Sequence, residues 1–102
     1  VGQAKEEELG KIFNDKKIEV KYDLQALVTG NIYVEYWSRG KRSGISTSEA
    51  EFYCFAFGDT FHLIGTEELK IRCRKYIGTH RDRNGGDSNT SKGILLPIKE
   101  LF

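Results

Sequence analysis

The sequence predicts a small α+β domain, or a mixed-sheet α/β sandwich, on three observations. Strand-like stretches cluster in the chain, amphipathic segments of helix formers flank them, and 102 residues suit one folding unit. Ala4–Phe13 reads as a short helix, with Leu9, Ile12 and Phe13 on one stripe despite Gly10. After the turn residues Asn14 and Asp15, Lys16–Asp23 alternates: Ile18, Val20 and Tyr22 point one way, and Lys17, Glu19, Lys21 and Asp23 the other. That is a half-buried strand. Leu24–Val28 is one turn of helix or an irregular link, and Thr29-Gly30-Asn31 marks a turn. Ile32–Trp37 is the next strand, with Ile32, Val34 and Tyr36 on one face and Tyr33, Glu35 and Trp37 on the other.

Ser38–Ser46 reads as a polar, basic loop and Thr47–Glu51 as a helical turn capped by Ser46 or Thr47. Phe52–Phe57, the turn Gly58-Asp59-Thr60 and Phe61–Ile64 form an aromatic hairpin, either buried on both faces or lending one to an interface. Thr66-Glu67-Glu68 opens a helix with a capping threonine and an acidic first turn; Leu69, Cys73, Tyr76 and Ile77 form its apolar stripe. The sixteen residues Gly78–Gly93 hold no apolar side chain, so a long loop is expected, mobile or ordered by a ligand. Ile94–Phe102 then docks back on the core, completing a single domain over 1–102.

Composition excludes several classes. Eleven glycines and one proline, with 38% apolar residues, rule out collagenous and wholly disordered chains. No run approaches the ~18 apolar residues of a membrane span, and three successive glutamates occupy Val1–Gly10 where a signal peptide needs an apolar centre, so a cytoplasmic protein is expected. Cys54 and Cys73 are far apart and each has apolar neighbours, which points to buried reduced thiols. A chain this short, rich in aromatics, is expected to gain from a partner subunit. The net charge of +1 hides segregation: Arg39, Lys41 and Arg42 form one basic cluster, and Lys70, Arg72, Arg74, Lys75, Arg81 and Arg83 another. Such clusters are either a solvated surface or a footprint for a polyanion.

The chemically informative feature is acidic residues on the polar faces of two successive strands, Glu19 and Asp23 on the first and Glu35 on the second. If those strands pair, Asp23 and Glu35 reach one divalent ion, and two carboxylates with the Tyr36 carbonyl and waters suit Mg²⁺ or Mn²⁺. Lys21 would stand beside the ion, helping to deprotonate water and to offset charge on an attacked phosphate. The bland alternative is a pair of solvated strand faces with cross-strand ion pairs of roughly 0.2–1 kcal/mol.

Read in order, Glu19-Val20-Lys21-Tyr22-Asp23, Thr29-Gly30-Asn31 with Glu35, Ser43-Gly44-Ile45, Gly85-Gly86-Asp87 and Ile94-Leu95-Leu96-Pro97 make an arrangement that resembles the PD-(D/E)XK nuclease superfamily, specifically its small phage-type members. The resemblance implies a restriction-endonuclease-like mixed β-sheet flanked by helices, Mg²⁺-dependent DNA cleavage, and a homodimer or higher homo-oligomer, phage-encoded in a host cytoplasm. It does not choose among homing, restriction and junction-resolving enzymes. It implies Asp23, Glu35, Lys21 and Glu19 as the catalytic set, with Glu8 of the first helix as a further metal ligand beside Asp23 and Glu35. One departure stands out. The usual pattern places lysine two residues after the second acid, where this chain has Trp37, so either Lys21 replaces it or the protein binds DNA without cutting. A second alignment takes Asp15 with Glu19-Val20-Lys21, an intact ExK; the Asp23–Glu35 version is preferred because Asp15 lies only four residues upstream of Glu19.

DNA contacts are expected from Arg39, Lys41 and Arg42 beside Glu35, from Ser46 and Thr47 at the following turn, and from Lys70, Arg72, Arg74, Lys75, Arg81 and Arg83. Two other functions compete: an inactive DNA- or junction-binding module, and an interaction protein that oligomerises through the aromatic hairpin.

Overall fold

The computed structural model describes residues 17–23, 25–85 and 89–101; the helix expected at Ala4–Phe13 lies outside them. The chain runs β1 (Ile18–Tyr22), α1 (Ala26–Thr29), β2 (Asn31–Ser38), β3 (Lys41–Arg42), a 3-10 turn (Gly44–Ser46), β4 (Phe52–Phe57), β5 (Thr60–Gly65), α2 (Thr66–Arg74), β6 (Asp82–Gly85), β7 (Ser91–Pro97) and a second 3-10 turn (Ile98–Leu101). It is a compact α+β domain with two sheets where one mixed sheet was expected. The first has the order β1-β4-β5 and the second β3-β2-β7-β6.

The pairing follows from which strands are apolar on both faces. β4 (FYCFAF) is buried from Tyr53 to Phe57, so it takes the central place of its sheet, parallel to β1 and antiparallel to β5. β1 keeps the expected alternation, Glu19 and Lys21 exposed and Ile18, Val20 and Tyr22 half-buried. β2 then pairs with β7, setting Ile32 opposite Leu96 and Val34 opposite Ile94. β1 and β2 are therefore not hydrogen-bonded neighbours, which corrects the premise that the two acidic strands pair. One core joins the two sheets and α2, with Phe55, Phe57, Ile32, Ile94, Leu96 and Leu69 among its members. Cys54 and Ala56, 2% and 0% exposed, lie on the reverse face of β4.

Four local expectations change. The register of β2 against β7 shifts between Glu35, opposite Gly93, and Trp37, opposite Lys92. Trp37 thus leaves the face of Tyr33 and Glu35 and joins that of Val34, because the extra residue cancels one alternation. Gly78–Gly93, expected as a loop, contains β6 and the start of β7, which pair from Asp82–Ile94 to Gly85–Ser91. Polar residues form this arm because the Tyr33 ring lies across its glycines: a Cβ on Gly93 would stand 2.5 Å from that ring, and one on Gly85 2.9 Å. The helical turn placed at Thr47–Glu51 falls earlier, at Gly44–Ser46. At α2 the N-cap is Gly65, and Thr66 is instead the first helical residue, its hydroxyl buried without a partner among the described residues.

The C-terminal segment is tied to α2 through Glu100. Arg72 Nη1 donates to the Glu100 carbonyl at 2.6 Å, Lys75 Nζ lies 2.8 Å from its carboxylate, and the Tyr76 hydroxyl donates to the same group. The Lys75 and Tyr76 hydrogen bonds hold the Glu100 carboxyl below its usual range. A lowered folded-state value stabilises the fold above the unfolded glutamate value of about 4.3 and loses that contribution as pH falls through the folded value. Denaturant titrations should therefore show wild type more stable than Glu100→Gln at pH 7, with the gap closing at acid pH. A gap independent of pH would contradict this assignment.

Candidate metal and phosphate cleft

β1 and β2 do not pair, yet residues of both line one cleft of about 920 Å³. In the parallel register Glu19 stands beside Tyr53 and Lys21 beside Phe55, so the polar face of β1 looks the same way as the aromatic face of β4. The same cleft is lined by Tyr33, Val34 and Glu35 of β2 and by residues of the segment from Gly44 to Ala50. Glu19 and Lys21 are 3.8 Å apart and both half-exposed, an ion pair worth little in stability but placed at a solvent-filled opening. Burial, with the charge of nearby Glu19, raises the Tyr53 phenol above its ordinary value.

Glu35 is the best-held carboxylate in the cleft. Ser43 Oγ donates to Glu35 Oε2 at 2.5 Å, and a serine at this position was not singled out as a holder of the acid. The next residue explains the rest of the Ser43-Gly44-Ile45 motif. Gly44 has φ +54° and packs so closely on the Glu35 backbone that a Cβ would lie 2.2 Å from its carbonyl oxygen. Only glycine fits both demands. Ile45 is buried in the core, and Ser46 Oγ donates to the Tyr36 carbonyl at 2.8 Å, so the whole turn is fastened to β2. The register shift just after Glu35 ends the regular ladder there, a common device for aiming a side chain.

Asp23 is placed differently. Its Oδ1 accepts from the backbone N–H groups of Gln25, at 2.9 Å, and Ala26, at 3.2 Å, so it organises the turn into α1. It does not line the cleft of Glu19, Lys21 and Glu35. Thr29-Gly30-Asn31 is likewise structural: Gly30 ends α1 at φ +75°, and Asn31 Oδ1 accepts from Arg81 Nη1 at 2.8 Å. Glu8 and Asp15 lie outside the described residues.

The basic residues divide into two sets. Arg81 also donates to the Leu95 carbonyl at 3.0 Å, Arg72 pairs with Glu68 and Lys75 with Glu100, so these three brace the fold. Lys70 leans on Glu67 at 3.4 Å. Arg39, Lys41, Arg42, Arg74 and Arg83 are exposed. Arg39 and Gly40 form the two-residue link between β2 and β3 with φ +51° and +83°, the backbone of a type I′ hairpin turn. Left-handed backbone costs a non-glycine residue roughly 1–2 kcal/mol, so the turn holds a guanidinium at its tip where asparagine or glycine would sit at lower cost. The Ser46 hydroxyl is spent on β2, and Thr47 reaches back to the Gly44 carbonyl at 3.4 Å.

Sequence reasoning also passed over Asp82. Its Oδ1 accepts from the Tyr36 hydroxyl at 2.6 Å and its Oδ2 from the Gly78 N–H at 2.9 Å. Burial and this acceptor push the Tyr36 phenol up to about 12. Cys54 and Cys73 are free and buried, and burial raises both thiols, that of Cys73 to about 12.

Among the described residues no three His, Cys, Asp or Glu side chains cluster as a metal-binding group. The cleft offers Glu19 and Glu35, with Glu49 3.8 Å from Lys17 at its rim. Carboxylates are the ligand type that Mg²⁺ takes, an ion that keeps several waters and completes its shell with substrate phosphate.

The Ser43–Glu35 bond is measurable without any assumption about activity. A double-mutant cycle of Ser43→Ala and Glu35→Gln, read by urea denaturation, should give a coupling of about 0.5–3 kcal/mol; additive effects would show that the contact does not hold the carboxylate. No family model matches the chain, and no curated protein and no solved structure matches it.

Proposed function

We propose that this chain is a Mg²⁺-dependent DNA endonuclease with a restriction-endonuclease-like core, working from the cleft shared by Glu19, Lys21 and Glu35. The observation that supports this reading is that Glu19, Lys21 and Glu35, from two strands that do not pair, line one cleft. It moves the reactive centre from Asp23 to Glu19, the ExK arrangement of the second alignment.

Glu19 and Glu35 would hold the ion, and Ser43 fixes the second of them. Bound there, Mg²⁺ would supply Lewis-acid activation of water and phosphate. Lys21 places an ammonium beside Glu19, positioned to offset negative charge that builds on an attacked phosphodiester. Arg39 and Lys41 stand at the hairpin tip that begins four residues beyond Glu35, and would hold backbone phosphates at that end of β2. Exposed Phe61 and Leu63, on edge strand β5, favour a homo-oligomer within this reading.

Non-cleaving DNA binding is the second reading. It is favoured by the absence, among the described residues, of any group of three His, Cys, Asp or Glu side chains that could hold a metal ion.

Supercoiled, linear and four-way-junction DNA incubated with Mg²⁺ or EDTA separates the two. Cleavage is expected only with Mg²⁺, reduced about 10²-fold or more by Glu19→Gln or Glu35→Gln. Asp23→Asn, which retains a turn-capping side chain, should cut at close to the wild-type rate. Unchanged cleavage in Glu35→Gln would eliminate this site, and salt-sensitive binding without cleavage in any divalent metal would establish the second reading.

A further inference from the structure

A second pocket, of about 260 Å³, is lined by residues of β2 and α2 and shares Val34 and Ile45 with the cleft. Buried apolar side chains of Val34, Ile45, Ile94 and Cys73 line it, with Tyr36 and the exposed Ile77 beside them. Its mouth is cationic. Arg42, Lys70 and Arg74 stand around it against one carboxylate, Glu67, which already faces Lys70 at 3.4 Å. Arg42 is held in place by donating to the Ser46 carbonyl at 2.9 Å.

The sheet face that lines this pocket continues beyond it. Because of the register shift after Glu35, Trp37 lies on the side of Val34 and Ile94, with Arg42 opposite it on β3 and Lys92 opposite it on β7. Trp37 is 36% exposed. An apolar recess with a cationic mouth thus leads along one face to an aromatic ring flanked by two cations.

We propose that this face binds a short single-stranded nucleic-acid segment, with one unstacked nucleotide in the pocket and a neighbouring base on Trp37. Charge and shape both select this occupant. Guanidinium and ammonium groups suit phosphate, the apolar lining suits the face of a base, and the volume suits one nucleotide. A base in intact duplex is stacked on both sides and cannot enter, whereas an unpaired one can, and stacking on an aromatic side chain contributes about 1–3 kcal/mol per base. The inference rests on the nucleic-acid reading for its ligand class, but it concerns a face separate from the cleft of Glu19 and Glu35 and needs no metal.

Trp37 is the single tryptophan of the chain, so tryptophan fluorescence, excited beyond the absorption of the five tyrosines, reports on this face. The full chain, titrated in EDTA with oligothymidylate of about six nucleotides, should show saturable quenching that weakens as salt rises. Lys70→Gln/Arg74→Gln, with its fold checked by circular dichroism, should raise the dissociation constant at least ~10-fold. Absence of quenching, or equal quenching in that double variant, overturns the proposal. Equal binding of a blunt duplex of the same length overturns it too, as does full displacement by equimolar inorganic phosphate, which would reveal a simple anion site, or by decanoate, which would reveal an acyl-chain site. Mg²⁺-dependent cleavage that persists without quenching leaves the cleft reading standing and removes this one; quenching without cleavage does the reverse.

Discussion

The structure depends on a strand that has no polar face. β4 is buried along nearly its whole length, so it cannot sit at an edge and must be covered on both sides and flanked by two strands. Its parallel partner β1 is thereby held in one register, and a one-residue slip would turn Glu19 and Lys21 away from the aromatic face and bring Val20 to the opening. The position of the charged pair is thus a consequence of apolar packing several ångströms away. The second sheet obeys the same logic, because Ile32 and Val34 find their complement in Leu96 and Ile94.

Between the two sheets, precision at Glu35 comes from backbone contact more than from charge. Gly44 lies against the Glu35 carbonyl at a distance no side chain tolerates, and the serines on either side bond to the Glu35 carboxylate and to the Tyr36 carbonyl. A carboxylate fixed in this way has little freedom to lose when it engages a ligand, which is the general requirement for a preorganised site. The same β2 segment serves two faces: before the register shift it presents Glu35 to the cleft, and after it Trp37 to the opposite side.

Much of the fold was legible because alternation and aromatic enrichment are local signals. β1, the β4–β5 hairpin and the start of α2 near Thr66 were read from them. What escaped was non-local. The parallel union of β1 with β4 depends on competition for partners across 29 intervening residues, from Asp23 to Glu51. The β6–β7 arm carries no apolar pattern, since its ordering comes from the Tyr33 ring seated on Gly85 and Gly93. The acids of the site were all visible, but choosing between Asp23 and Glu19 required knowing that Asp23 turns onto the backbone at Gln25 and Ala26. Ser43 and Gly44 were recognised as part of a motif, and only their contacts with Glu35 show why those residue types stand there.

The central claim is that Glu19 and Glu35, from unpaired strands, serve one cation. Crystals grown with Mn²⁺ and examined by anomalous diffraction test it directly. The account predicts a peak in the cleft with oxygen atoms of both carboxylates at about 2.2 Å. Manganese bound through Asp23, or no manganese between the two glutamates, would contradict it.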